Sequence, residues 1–149
     1  MPEVTIGLFP DVGSTVFLNQ MPYNLGYFFG ITGAIMNARD ALFCHLADFG
    51  IESRQLPELL EQLQSVSWQA DAELNHQRLN ELLAQLCSDL KSFPASNITQ
   101  NLKTLEKTCR HNSLSRMIEA IDQFDDDNPW LSKAKQTLKA GSALSTLII

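Results

Sequence analysis

The strongest constraint on this chain is a set of leucines spaced three and four residues apart. Leu56, Leu59, Leu60 and Leu63 make one stripe, and Leu79, Leu82, Leu83, Leu86 and Leu90 make a stronger one. At 3.6 residues per turn that spacing falls on one face of an α-helix, whereas a strand needs alternation by two. From Ser53 onward the pattern predicts amphipathic helices whose leucine faces form core. Ile98, Leu102 and Leu105 continue it behind a cap at Ser96 or Asn97. Leu114, Met117, Ile118 and Ile121 repeat it after Ser113, and Trp130, Leu131, Ala134 and Leu138 open a last helix that stops at Gly141. Beyond it runs an apolar tail, SALSTLII.

The first third reads differently. Gly7, Gly13, Gly26, Gly30 and Gly33 are dense here and glycine is nearly absent later, which suits tight turns and close backbone approaches. Val4 to Leu8 is β-prone and is expected as a short strand. Pro10-Asp-Val-Gly13 carries turn chemistry. Ser14 is placed to cap a helix through Val16, Phe17 and Leu18, closed by Pro22. A second helix, Leu25 to Thr32, holds Tyr27, Phe28 and Phe29 and ends at Gly33. Asn37 caps a third, through Ala41, Leu42 and Cys44. The chain thus divides into 1–52, with turns and an acidic site, and 53–149, a helical region. The fold class is mainly α with at most one or two short strands.

Composition excludes several function classes. The chain has 149 residues, 44% of them hydrophobic and 19% charged, as in a globular domain with its own core. A net charge of −6 leaves no basic surplus to neutralise phosphates, so no nucleic-acid partner is expected. Cys44, Cys87 and Cys109 are odd in number and far apart, as for reduced thiols in a cytoplasmic protein. No segment is long and apolar enough to cross a membrane.

Among groups able to do chemistry, Glu3 and Asp11 stand out beside the glycine-rich turns. Two carboxylates so placed suit general acid–base or nucleophilic work, and spacing alone leaves a structural reading open. Asp125, Asp126 and Asp127 lack the alternation and closing Glu of a calcium loop and read as a solvated turn. His45, His76 and His111 have no ligand spacing with one another or with the cysteines, so no metal is expected.

The stretches MPEVTIGLFPDVGSTVFLNQMP, LGYFFGITGAIMNARDAL and LADFGI together resemble the enoyl-CoA hydratase/isomerase (crotonase) superfamily, and within it the 3-hydroxyisobutyryl-CoA hydrolase branch. The likeness is dense over the first fifty residues and colinear, though weaker, through NPWLSKAKQTLKAGSALSTLII. It implies that Glu3 is the family's catalytic glutamate, which attacks the thioester or activates water. It implies that Asp11, where hydratases usually carry Gly, orients a hydroxyl or water and helps protonate what leaves. The implied activity is hydrolysis of an acyl-CoA thioester in valine breakdown, with coenzyme A part of the substrate and no separate cofactor.

The resemblance also implies a C-terminal portion of the crotonase-like α/β spiral fold, without the upstream β-β-α core. In the family both oxyanion N–H donors and most of the CoA surface lie upstream. Loss of one donor costs roughly 3–4 kcal/mol, so the 149 residues alone are expected to be inactive and to bind acyl-CoA only with an upstream half. His45 stands where the family usually has Gly, which questions the tightness of that turn. Removal of the upstream sheet is expected to expose Phe17, Tyr27, Phe28 and Phe29 and to drive homo-oligomerisation. Two other readings stand beside this one: an enoyl-CoA hydratase or isomerase, against which Asp11 argues, and a stand-alone helical binding or oligomerisation module.

Overall fold

A computed structural model of the chain describes residues 3–8, 11–87, 89–111 and 113–148. A 3-10 turn, Glu3–Ile6, comes first, followed by α1 (Ser14–Gln20), a 3-10 turn Pro22–Asn24, α2 (Leu25–Thr32) and α3 (Ala38–Phe43). A 3-10 turn Ser53–Gln55 leads into α4 (Leu56–Ser65) and α5 (Ala72–Leu86). After a further turn, Leu90–Ser92, come α6 (Asn97–Gln100), α7 (Leu102–Cys109), α8 (Leu114–Asp122), α9 (Pro129–Ala140) and α10 (Ala143–Ile148). Among the described residues there is no strand.

The centre of the molecule is α2. All of its residues except Tyr27 are buried, as expected of a helix that is apolar on every side. It packs against α1, α7 and α9. Its approach to α1 depends on Gly26, where a Cβ would overlap the Leu18 carbonyl. Gly33 closes it in a left-handed conformation, φ 60°. Phe28 and Phe29 meet edge to face at 5.3 Å, and Trp130 of α9 lies 5.5 Å from the Phe28 ring. The Trp130 indole N–H donates to the Ile35 carbonyl at 2.8 Å, tying α9 to the loop that leaves α2.

Four expectations are corrected. Val4 to Leu8 forms no strand: Glu3–Ile6 is a 3-10 turn, and the Leu8 N–H bonds locally to the Glu3 carbonyl at 2.9 Å. A β-prone segment needs a neighbouring strand for its ladder, and the described residues offer none. Ser14 is not a cap: Gly13 holds the cap position and Ser14 is the first helical residue, its hydroxyl buried without a hydrogen-bond partner among the described residues. Phe28 and Phe29 are not exposed, because α7, α8 and α9 close a core around α2; Phe17 and Tyr27 do remain open to solvent. The Leu56 stripe is not core either. No residue of α4 is buried, Leu56 and Leu60 are exposed, and α5 buries only Leu82 and Leu86. An amphipathic face becomes core only where something covers it, and α4 meets only α5 and the turn before it among its principal contacts.

His45 resolves the question about its turn. Its backbone takes φ 56°, the conformation that Gly would supply. The Leu46 N–H bonds to the Ala41 carbonyl at 2.9 Å and the His45 N–H to the Leu42 carbonyl at 3.2 Å. Paired bonds of this kind are the usual glycine-type stop of a helix. The turn stays tight, with a non-glycine residue held in left-handed backbone.

Candidate active site

Glu3 sits on a turn that the far end of the chain holds in place. Val4, next to it, is fully buried. Its carbonyl accepts the Ser142 N–H at 3.0 Å. Gly141 lies so close that an added Cβ would reach 2.7 Å from a Val4 methyl. Ser142 also accepts the Ser145 N–H on its hydroxyl at 3.2 Å, capping α10 in the usual serine manner. Residues 142–146, within what reads from sequence as an apolar tail, therefore join the Gly141 stop as a clamp on the Glu3 turn. The missed signal was Gly141-Ser142 ahead of an apolar run, a stop followed at once by a new start.

One carboxylate oxygen of Glu3, Oε2, is buried and accepts no hydrogen bond from the described residues. Burying an acceptor without a donor is costly, and such an atom in a folded protein calls for an explanation. A group poised for a water or a substrate is one.

Asp11 is exposed. Its carbonyl accepts the Ser14 N–H at 2.9 Å, and behind it Val12 and Gly13 both take left-handed backbone, φ 52° and 75°. For β-branched Val12, 96% exposed, that is a strained position of the kind that gathers at working sites. Phe9 and Pro10, between the two acids, lie outside the described residues, and no hydrogen bond joins the two side chains among the described residues.

A recess of about 580 Å³ opens between α8, α9 and α10, with Ile118, Ile121, Leu138 and Ala143 in its walls. Gly141 lines it too, so the recess borders the Glu3 turn through Gly141 and Val4. On its rim Asp122 pairs with Lys139 at 2.5 Å. The hydrogen bond and charge of Lys139 hold the Asp122 carboxyl below the usual carboxylate range.

Two of the three acids in the run at 125–127 have structural partners. Asp126 pairs with Lys135 at 3.0 Å, and Asp125 accepts the Asp127 N–H, so the acidic run is a self-bonded turn. Among the described residues no cluster of His, Cys, Asp and Glu could hold a metal ion, and no helix is long and apolar enough to cross a membrane. Burial pushes the Cys44 thiol up to about 11, with the Asp40 charge adding to it. Burial likewise pushes Cys109 to about 12, against a backbone hydrogen bond at Phe28 that lowers it. Neither thiol is set up as a nucleophile.

Comparison with known proteins gives the family and the fold. The profile of the enoyl-CoA hydratase/isomerase family matches residues 1–149, and the chain belongs to that family. Within it, the chain is 31% identical over 158 residues to 3-hydroxyisobutyryl-CoA hydrolase 1 of Arabidopsis thaliana, covering 99% of this chain and 38% of the relative. It is 41% identical over 144 residues to probable 3-hydroxyisobutyryl-CoA hydrolase 2 of the same plant, covering 95% of this chain and 36% of the relative. The fold is similar to a carnitinyl-CoA dehydratase from Mycobacterium thermoresistibile, with a TM-score of 0.76 and 23% identity, over 98% of this chain and 38% of that one. The chain thus spans well under half the length of these proteins, and its fold is the helical portion of a crotonase-type architecture.

Proposed function

We propose that this chain supplies the two acids of an acyl-CoA thioester hydrolase of the 3-hydroxyisobutyryl-CoA type, working with the remainder of the fold. Glu3 attacks the thioester carbonyl, breaking the C–S bond to release coenzyme A as its thiolate and leaving a mixed anhydride that water then cleaves, or it activates a water that displaces the thiolate directly. Asp11 orients the acyl hydroxyl or the water and helps protonate the departing thiolate. The observation that carries this reading is the Glu3 carboxylate itself: Oε2 is buried with no donor among the described residues, on a turn clamped by Ser142. The names of the two plant relatives favour hydrolysis over hydration. By the same reading the oxyanion donors belong to residues outside this chain, and their loss would remove about 10⁴-fold or more in rate. The chain alone then turns over no 3-hydroxyisobutyryl-CoA.

The test is a chimera in which these 149 residues replace the matching part of 3-hydroxyisobutyryl-CoA hydrolase 1. Thiol release from 3-hydroxyisobutyryl-CoA is followed with a chromogenic reagent. The chimera should hydrolyse the thioester, Glu3→Gln should nearly abolish hydrolysis, and Asp11→Gly should lower it strongly. Near-normal hydrolysis by the Glu3→Gln chimera sinks the assignment. A chimera that hydrates an enoyl-CoA and leaves the thioester intact would favour the hydratase reading.

A further inference from the structure

Far from Glu3 in sequence, one side of α7 gathers positive charge in a chain of net charge −6. Lys103, Lys107 and Arg110 are exposed and line a recess of about 530 Å³ together with Glu106, Tyr23 and Asn24. None of the three cationic heads has an ion-pair or hydrogen-bond partner among the described residues, although acids outnumber bases 17 to 11 in the chain. Lys103 and Lys107 stand four apart on the helix, where like charges repel. Both also line a second recess on their other side, with His111. The charge is concentrated and, among the described residues, not ion-paired.

The opposite wall is strained. Tyr23 and Asn24 both take left-handed backbone at φ 57°, a costly conformation for a bulky residue such as tyrosine. The Asn24 amide donates to the Cys109 carbonyl at 3.4 Å, fastening the turn to the end of α7. The Tyr23 ring lies nearly parallel to Phe43, with centroids 6.1 Å apart and planes 11° apart. One ring face is thus backed, and the residue stays 49% exposed at the recess. Strain of this kind, held by surrounding contacts, marks ligand-bearing sites.

We propose that this recess binds a purine nucleotide carrying two or more phosphates. The purine stacks on the open face of Tyr23, as bases stack on exposed aromatic rings. The phosphates lie against Lys103, Lys107 and the guanidinium fork of Arg110, whose geometry suits phosphate oxygens. Three cations against one acid leave a local surplus that fits a compact polyanion, while the acidic remainder of the surface disfavours a long nucleic-acid strand. Two sources carry this chemistry, the nucleotide end of coenzyme A and a free nucleotide such as ADP. Neither Glu3 nor Asp11 enters the proposal: the free-nucleotide source stands apart from the thioester reading, and only the coenzyme A source rests on it.

The test is calorimetric titration of the 149-residue chain with ADP, inorganic pyrophosphate, adenosine and coenzyme A. ADP or coenzyme A should bind saturably, pyrophosphate about tenfold more weakly than the better of them, and adenosine scarcely at all. Lys107→Gln and Arg110→Gln should each weaken binding by about fivefold or more, with circular dichroism unchanged because both side chains are exposed. Tyr23→Asn, which suits left-handed backbone, should erase the preference for ADP over pyrophosphate without lowering Tm. Coenzyme A binding more tightly than ADP assigns the site to the substrate's own nucleotide; the reverse order assigns it to a free nucleotide. No saturable binding of either at millimolar concentration overturns the proposal. So does binding that the Lys107→Gln/Arg110→Gln double variant leaves intact.

Discussion

Asp40 and Ser96, at opposite ends of a 56-residue separation, meet at a fully buried point: the Ser96 hydroxyl donates to Asp40 Oδ1 at 2.6 Å. The Ile98 N–H donates to the same oxygen at 3.0 Å, and the Asn97 amide and Asn37 N–H reach Oδ2 at 3.1 and 3.0 Å. One carboxylate therefore completes the capping box of α3 and receives the N-terminus of α6. It joins the glycine-rich stretch to the helical region.

Replacement of Asp40 by Ala should be among the most damaging single changes in the chain. It strands four donors, two of them buried and two part-buried, and breaking such a hydrogen-bonded network costs about 3–5 kcal/mol. Asp40→Asn keeps the shape and part of the acceptor capacity, so it should cost clearly less. Urea unfolding of the two variants measures the difference. An Asp40→Ala protein within about 1 kcal/mol of the parent would show that the network contributes little.

The Asp40 network shows where local sequence stops being informative. Asn37 could be read as a cap because capping is a matter of three residues. The partners at Ser96, Asn97 and Ile98 could not, since nothing in a local pattern marks a contact 58 residues away. The second helix was legible to the residue, because Leu25, the aromatic run and Gly33 state their own start, burial and stop. Val4 to Leu8 misled for the opposite reason: β-propensity presumes a neighbouring strand. At the candidate site, Glu3 and Asp11 were named by resemblance, whereas the orphaned Oε2 and the Ser142 clamp exist only once the two ends of the chain meet.

His45 offers a stabilising change. It is exposed and ends α3 in left-handed backbone, φ 56°. Gly takes that conformation without the Cβ penalty, so His45→Gly should raise stability by roughly 0.5–1 kcal/mol. For a domain of this size that corresponds to a rise in Tm of about 2–4 °C per kcal/mol. A fall in Tm would mean that the His45 side chain makes a contact worth more than the backbone strain.

The two buried thiols set an alkaline limit. Their folded pKa values are raised, Cys44 to about 11 and Cys109 to about 12, from 9.0. Below pH 9 both states keep the protons and nothing changes. Above it the unfolded chain ionises first and stability falls, until the folded thiols titrate as well. At pH 10.5 each thiol should lower stability by about 2 kcal/mol relative to pH 8. Urea midpoints of the parent and of Cys44→Ala and Cys109→Ala variants check this, each variant losing less than the parent. At pH 8, Cys87, exposed, should react with a thiol reagent well before the other two.

The last prediction concerns association, on a smaller surface than the sequence suggested. Phe28 and Phe29 are enclosed by the chain's own helices. The ridge around the Glu3 turn and α1 stays open, as do scattered residues elsewhere such as Ile35 and Leu144. Ile6 is 66% exposed, Leu8 56% and Val16 63%, with Val12 and Phe17 also open. Single exposed apolar residues are ordinary, but five drawn from one short stretch mark a surface that packs against something. In a protein of the relatives' length, further chain is available to cover such a ridge. In the 149-residue chain the occupant at hand is a second copy, so the chain should self-associate at micromolar concentration. The double variant Ile6→Lys/Val16→Glu should shift it toward monomer, with little loss of stability because neither side chain is buried. Sedimentation equilibrium across a hundredfold range of concentration, about 1 to 100 µM, decides it. A parent chain that stays monomeric throughout defeats the prediction, and a dimer untouched by the double variant places the contact elsewhere, with the exposed leucines of α4 the next surface to change.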